Sequence, residues 1–239
     1  ALPIWRIKSF LKNNFGDILN AANPIIKMGF WPGGDRDGNP FVKAATTLQV
    51  ANTLHSSIIK CYYLDIRKLK RRLTFKGVDI ALTSLEKKLY DHLFIPNHPL
   101  GLTKEAIIIE LKNIKYQLIE SHSGLFIESV ESLINKVEVF GLHFASLDIR
   151  QESSIHTKTI QAIADATDLL PNNYSSLSES EKIHFLAQEK PITIDANILI
   201  SDVERDVIEV MQAIKNIQQL NGEAGCNRYI ISQCHSALG

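Results

Sequence analysis

Gly141-Leu142-His143-Phe144-Ala145-Ser146-Leu147-Asp148-Ile149-Arg150-Gln151-Glu152-Ser153 is the stretch whose reading decides the fold. A glycine opens it, apolar residues crowd its middle without a helical period, and a helical pattern follows, as when a buried strand hands over to a helix. Ile25-Ile26-Lys27-Met28-Gly29-Phe30-Trp31 and Arg228-Tyr229-Ile230-Ile231-Ser232-Gln233-Cys234 read the same way. Between these three segments the rhythm is helical. After Pro40, Val50, Leu54, Ile58, Tyr62, Ile66, Leu69 and Leu73 recur at steps of three and four, predicting a long amphipathic helix whose region closes at Gly77. Thr103 reads as the N-cap of a second helix with Ile107, Leu111, Ile114 and Leu118 on one face, and Ile127, Val130, Leu133 and Val137 mark a third. Two S-x-x-E capping boxes, Ser178 with Glu181 and Ser201 with Glu204, start two more; Val203, Val207, Val210, Ile214 and Ile217 follow the latter. The stretches from Lys76 to Gly101 and from Pro171 to Ser178 read as partly irregular, the first interrupted by a short helix from Ser84 to Phe94. The fold class expected is a predominantly α-helical α/β arrangement. Three short strands cannot close a sheet, so residues 1–239 are expected to form a single segment of a larger, heavily elaborated (β/α)8-type barrel domain.

Composition narrows the function classes. The chain has 239 residues, 45% hydrophobic and 22% charged, the usage of a globular protein with a real core rather than of a fibrous or disordered one. Lys and Arg total 26, Asp and Glu 26, so no global field recruits nucleic acid or an anionic membrane. Cys61, Cys226 and Cys234 lack metal-ligand or disulfide-framework spacing, which fits a reducing, cytoplasmic setting. No apolar run reaches the roughly 18 residues of a membrane span, and Ala1-Leu2-Pro3-Ile4-Trp5-Arg6 lacks the order of a signal peptide. The missing initiator methionine fits an excised piece, and processing or cloning would give the same start.

Two motifs carry chemistry. Gly33-Gly34-Asp35-Arg36-Asp37-Gly38-Asn39-Pro40 lies between a strand and the long helix. Its glycines permit positive φ and close approach, Asp37-Gly38 makes a turn, Asn39 suits an N-cap and Pro40 the first helical position. Strand, glycine loop and helix start form an anion-binding geometry, while Asp35 and Asp37 favour a structural turn that satisfies its own N–H groups; both readings stand. An EF-hand does not fit, because Gly38 comes fourth rather than sixth and Thr46 occupies the position of the closing glutamate. The second motif is Leu147 through Ser153. With Leu147 and Ile149 turned outward to helices, Ser146, Asp148 and Arg150 face inward, and Arg150 stands near the strand's C-terminal end, where a guanidinium grips a phosphate or carboxylate. The alternative is an ion pair between Asp148 and Arg150 within the strand. Arg67-Lys68-Leu69-Lys70-Arg71-Arg72 reads as the solvated end of a helix. His143, on the second strand, and His235, after the third, lie near the expected site. G-x-S-x-G, H-E-x-x-H, G-x-x-x-x-G-K-[ST] and G-x-G-x-x-G strings are absent from the sequence.

Taken together, Trp31 through Pro40, Leu147 through Ser153 and Tyr229-Ile230-Ile231-Ser232 closely resemble the phosphoenolpyruvate carboxylase family. That family has G-G-D-R-D-G-N-P after a tryptophan, then L-D-I-R-Q-E-S, then Y-V-I-S-M-A, in this order with helical stretches between. The resemblance implies a cytoplasmic lyase, commonly a homotetramer, that joins bicarbonate to phosphoenolpyruvate, giving oxaloacetate and phosphate and feeding the tricarboxylic acid cycle. A divalent metal, magnesium or manganese, is implied as its cofactor, with no ligand for it in this segment. The resemblance gives Trp31 the wall of an apolar substrate pocket and makes Arg150 a catalytic, substrate-binding arginine. Gly33, Gly34, Asp35, Arg36, Asp37, Gly38 and Asn39 form a motif loop without an assigned role.

The family's T-A-H-P-T-E, metal-binding carboxylates and F-H-G-R-G-G loop are not in this sequence, and Asn97-His98-Pro99-Leu100 matches the first only by coincidence. Since the family has the first upstream and the other two downstream, the resemblance makes this chain the central part of the carboxylase barrel domain, expected to be inactive in isolation. Pro32 replaces the usual methionine before Gly33, and Gln233-Cys234-His235 departs from the family after the third strand. The rival reading is a stand-alone, carboxylase-derived binding or scaffold domain using the Gly33 to Pro40 loop.

Overall fold

The computed structural model describes residues 10, 13–14, 27–37, 39, 41–95, 101–171, 173–188 and 193–238. Ala1 through Arg6, Ile25 and Ile26 of the first expected strand, Gly38, Pro40 and His98-Pro99 lie outside them. The elements in chain order are β1 (Gly29–Phe30), α1 (Ala44–Arg72), α2 (Val78–Phe94), α3 (Lys104–His122), α4 (Ile127–Phe140), β2 (Ser146–Glu152), α5 (Ser153–Ala166), α6 (Glu179–Gln188), α7 (Asp202–Asn221) and β3 (Arg228–Ser232). The described residues form a mostly helical α/β arrangement with three short strands in one sheet, in the order β1-β2-β3.

The chain divides into two compact units. The first comprises Ala1–Met28, Asn52–Ser146 and Leu220–Gly225, the second Gly29–Ala51, Leu147–Gln219 and Cys226–Gly239. In the first, one apolar face from each of four helices makes the core: Ile58, Tyr62, Ile66 and Leu69 of α1, Leu82, Leu85 and Leu89 of α2, Leu111, Ile114 and Leu118 of α3, and Val130, Leu133 and Val137 of α4. These are the residues that the three-and-four spacing selects, because only one stripe of each helix can be kept from water. Thr103 caps α3 as expected, its hydroxyl accepting from the Ala106 N–H at 3.0 Å. The helix expected from Ser84 begins six residues earlier, at Val78, so most of the stretch after Lys76 is ordered helix. Gly77, at φ 89°, provides its start, and Val78 and Leu82 extend the buried stripe. Among the basic residues closing α1, Arg67 and Lys70 pair with Glu86 of α2.

His55 is 5% exposed in this unit, and its Nδ1 must carry the proton, since it lies 2.9 Å from the Leu142 carbonyl oxygen, which can only accept. Its Nε2 then accepts from His92 Nε2 at 2.7 Å. Burial, followed by the neighbouring His92, pulls the His55 pKa below its ordinary value.

In the second unit, β2 pairs in parallel with β3, Asp148 opposite Arg228 and Glu152 opposite Ser232. Leu147 and Ile149 pack with Val210, Ala213 and Ile217 of α7 and with Ala44 and Ala51 of α1. A smaller cluster, Ile163, Leu170, Tyr174 and Leu199, closes over α5. The Ser178 capping box forms, with the Ser178 N–H donating to Glu181 at 2.8 Å and the Glu181 N–H to the Ser178 hydroxyl at 3.4 Å; α7 begins directly after Ser201. The strand boundaries differ from the expectation, and β3 ends at Ser232 rather than Cys234. β1 is confined to Gly29–Phe30, and β2 starts at Ser146 rather than Gly141, because residues 141–145 form turns with Gly141 and Phe144 at positive φ. His143 therefore lies on a turn in the first unit, not on a strand.

Because the folded His55 is less basic than the unfolded one, the unfolded chain binds more protons as the pH falls through about 6.5, and stability must drop there. His143, whose pKa burial also lowers, acts in the same direction. The urea midpoint is expected to be lower at about pH 5.5 than at about pH 7.5, and His55→Gln, which keeps a donor for Leu142, to flatten that dependence. A midpoint independent of pH would contradict this.

Candidate functional site

The glycine loop and β2 are joined by their backbones. Gly34 and Asp35 turn back on Trp31, their N–H groups donating to its carbonyl at 2.9 and 3.1 Å. The Arg150 N–H then donates to the Gly34 carbonyl at 2.9 Å and the Arg36 N–H to the Arg150 carbonyl at 3.1 Å, a parallel bridge centred on Asp35 and Arg150. The loop residues are what this proximity requires. A Cβ on Gly34 would lie 2.0 Å from the Asp148 carbonyl oxygen, and one on Gly33, whose φ is +85°, would lie 2.5 Å from Val50. On the other side, the Thr47 hydroxyl of α1 donates to the Gly33 carbonyl at 2.7 Å.

This bridge brings together two of the residues singled out by sequence. The Arg150 guanidinium carbon stands 5.9 Å from the Trp31 ring centroid, within cation–π range, and Asp35 Oδ2 lies 3.7 Å from Arg150 Nη1. Arg150 is 37% exposed at its side chain and Trp31 54% exposed overall, so the pair presents a cation and an indole to solvent. The ion pair within the strand does not form. Asp148 accepts instead from Arg228 Nε on the neighbouring strand at 2.6 Å, which leaves Arg150 to the loop.

Asn39 does not cap the long helix. α1 begins at Ala44, and the Asn39 carboxamide oxygen accepts from the Phe41 N–H at 3.1 Å, an Asx turn inside the loop. Among the described residues neither Asp35 nor Asp37 accepts from a loop N–H: Asp35 turns to Arg150, and Asp37 is exposed. Gly38 lies outside the described residues. His235 is exposed beyond β3.

Beside the loop lie buried polar groups to which the sequence assigned no individual role. Arg36, only 4% exposed at its side chain, forms an ion pair with Asp206 of α7. Its Nε and Nη1 find no hydrogen-bond partner among the described residues, nor do His156 Nε2, Tyr229 Oη and Arg150 Nε. Burial lowers the Arg36 pKa, opposed by the fields of Tyr229 and Glu209. It lowers that of His156 as well, with Arg36 adding to the effect, so this imidazole is neutral at pH 7; its ring lies 5.4 Å from that of Tyr229. Burial pushes the Tyr229 phenol up to about 12. The descent of E-S-S-I-H into α5 and the Tyr229-Ile230-Ile231 alternation were the available signals. Sequence alone could not say that both face Arg36.

A model of the phosphoenolpyruvate carboxylase family matches residues 3–94 and 86–238. The chain belongs to the phosphoenolpyruvate carboxylase family. Its relatives include the phosphoenolpyruvate carboxylases of a Synechococcus species, 29% identical over 97% of this chain, of Thermosynechococcus vestitus, 26% over 96%, and of Trichormus variabilis, 27% over 96%. The chain spans 27 to 28% of the length of these carboxylases. The described residues hold no group of three or more His, Cys, Asp or Glu side chains able to bind a metal ion, and no described helix is long and apolar enough to cross a membrane.

The close packing of this loop makes Gly34 a sharp test. Gly34→Ala must drive the loop off β2, at a cost of about 3 kcal/mol. The expected result is a fall in the thermal midpoint together with greater access of acrylamide to Trp31; an alanine variant with wild-type values for both would show that the bridge is not the constraint described.

Proposed function

We propose that the polypeptide carrying this chain is a phosphoenolpyruvate carboxylase that joins bicarbonate to phosphoenolpyruvate and releases oxaloacetate and phosphate. The observation that carries this reading is the Trp31–Arg150 pair, held by a backbone bridge between two of the family's motifs. In the reaction a bicarbonate oxygen attacks phosphorus and the enolate leaves as the P–O bond breaks, giving carboxyphosphate; the enolate then forms a carbon–carbon bond to carbon dioxide released from it. Arg150 binds the anionic groups of the substrate, its fixed fork matching phosphate or carboxylate. The Trp31 indole supplies an apolar wall that keeps water and stray protons from the reactive intermediates. The loop from Gly33 to Asn39 serves this pair by position, its carbonyl and N–H groups holding Arg150 from both sides.

Magnesium or manganese, which the family reading implies, would supply charge neutralisation at the developing enolate. The described residues provide no group of three or more ligands for it. Within this reading, residues 1–239 are one segment of a larger barrel domain, supported by three strands in one sheet and the parallel β2–β3 pair. The enzyme is a cytoplasmic homotetramer acting in carbon supply to the tricarboxylic acid cycle.

The test is oxaloacetate formation from phosphoenolpyruvate and bicarbonate with magnesium, coupled to NADH oxidation. It is run on the complete polypeptide, at the length of its relatives, and on the 239-residue chain. Activity is expected from the first and none from the second. In the complete polypeptide Arg150→Ala is expected to lower kcat/KM about a hundredfold, with Arg150→Lys intermediate because it keeps charge but loses the fork. A complete polypeptide that makes no oxaloacetate would overturn the reading, and an Arg150→Ala enzyme with wild-type kinetics would remove Arg150 from the site.

A further inference from the structure

Asp206 touches neither Trp31 nor Arg150, yet its single carboxylate fastens the elements that present them. It sits on α7, where Oδ1 accepts from the Ala44 N–H at the start of α1 at 2.9 Å and Oδ2 accepts from Arg36 Nη2. The ion pair is buried, with the Arg36 side chain 4% and the Asp206 side chain 13% exposed. Arg36 in turn donates its backbone N–H to the Arg150 carbonyl. Its guanidinium thus anchors, through one residue, the loop that bridges to β2.

We propose that Asp206 is the positioning residue of the Trp31–Arg150 site, acting through Arg36 to hold the loop against β2. Asp206 is the one carboxylate among the described residues that forms an ion pair with Arg36. Removing its charge strands a buried guanidinium, whose desolvation is costly enough to favour swinging it into water. That swing withdraws the Arg36 N–H from the Arg150 carbonyl and frees the turn that Gly34 and Asp35 make on Trp31. Both site residues then lose their mutual register without being altered themselves. A side chain that only stabilised the fold would change the melting point and leave the surviving native molecules with an unchanged site.

The kinetic part of the test rests on the carboxylase reading, and the spectroscopic part does not. Asp206→Asn keeps an acceptor for the Ala44 N–H and the side-chain shape while removing the charge. In the complete polypeptide it is expected to raise the KM for phosphoenolpyruvate about tenfold while kcat changes less than about threefold. In the 239-residue chain carrying Trp5→Phe, where Trp31 is the sole remaining tryptophan, it is expected to shift Trp31 emission to the red and raise acrylamide quenching. Adding Arg36→Met removes the stranded cation and should return both readings toward wild type; this double variant also serves if the single one does not fold. Lowered thermal stability with unchanged KM and quenching would reduce Asp206 to a structural residue and overturn the proposal, as would a double variant more perturbed than the single. A wild-type polypeptide that forms no oxaloacetate defeats the carboxylase reading alone, since the fluorescence comparison needs no substrate.

Discussion

With no side chain on Gly34, the Asp148 carbonyl comes within 2.0 Å of where a Cβ would be, and this approach lets two separated pieces of chain share backbone hydrogen bonds. Arg150 is gripped on both sides, its N–H by Gly34 and its carbonyl by Arg36. Everything notable at the site follows from this contact. The indole of Trp31 reaches the Arg150 guanidinium, Asp35 faces the same cation, and the Gly33 carbonyl is left for the Thr47 hydroxyl at the start of α1.

Charge is distributed so that Arg150 keeps the loosest acidic contact of the arginines at the sheet. Three arginines lie on or beside the sheet, and two have close acidic partners: Arg36 with buried Asp206, Arg228 with Asp148 across the β2–β3 pair. Asp35, at 3.7 Å, is a looser companion to Arg150 than either of these. A guanidinium held by backbone but not saturated by carboxylate retains donors for an anionic ligand. The buried neighbours His156 and Tyr229 stay neutral near pH 7, so they add no charge that competes with it.

The two units are built on different physical logic. In the first, amphipathic helices supply most of the core, and the buried Tyr62 hydroxyl within it donates to the Gly141 carbonyl at 2.8 Å. In the second, a short sheet is sandwiched by residues from α1 and α7, and buried ionic groups lie close to the site. Burying charge is costly unless it is paired with good geometry, which is why the Arg36–Asp206 contact has consequences beyond its own two residues.

Helix positions and buried stripes were legible from the chain alone, since residues such as Leu111, Ile114 and Leu118 repeat at the period a helix imposes and must leave water together. So was the α/β class, because Leu147, Ile149 and their alternation cannot belong to a surface helix, and so were the two motifs that mark the site. Boundaries set by competition were not. Val78 joins α2 because its side chain fills the core, and α1 starts at Ala44, whose N–H donates to Asp206, while the Asn39 side chain accepts from the Phe41 N–H. The pairing of Arg150 with Trp31 and Asp35, of Asp148 with Arg228, and of Arg36 with Asp206 was decided only in three dimensions. Each joins residues from 80 to 170 positions apart, or depends on which of several nearby carboxylates a guanidinium reaches. Local sequence carries the period of an element and the freedom of a glycine. Which charge meets which is a property of the packed chain.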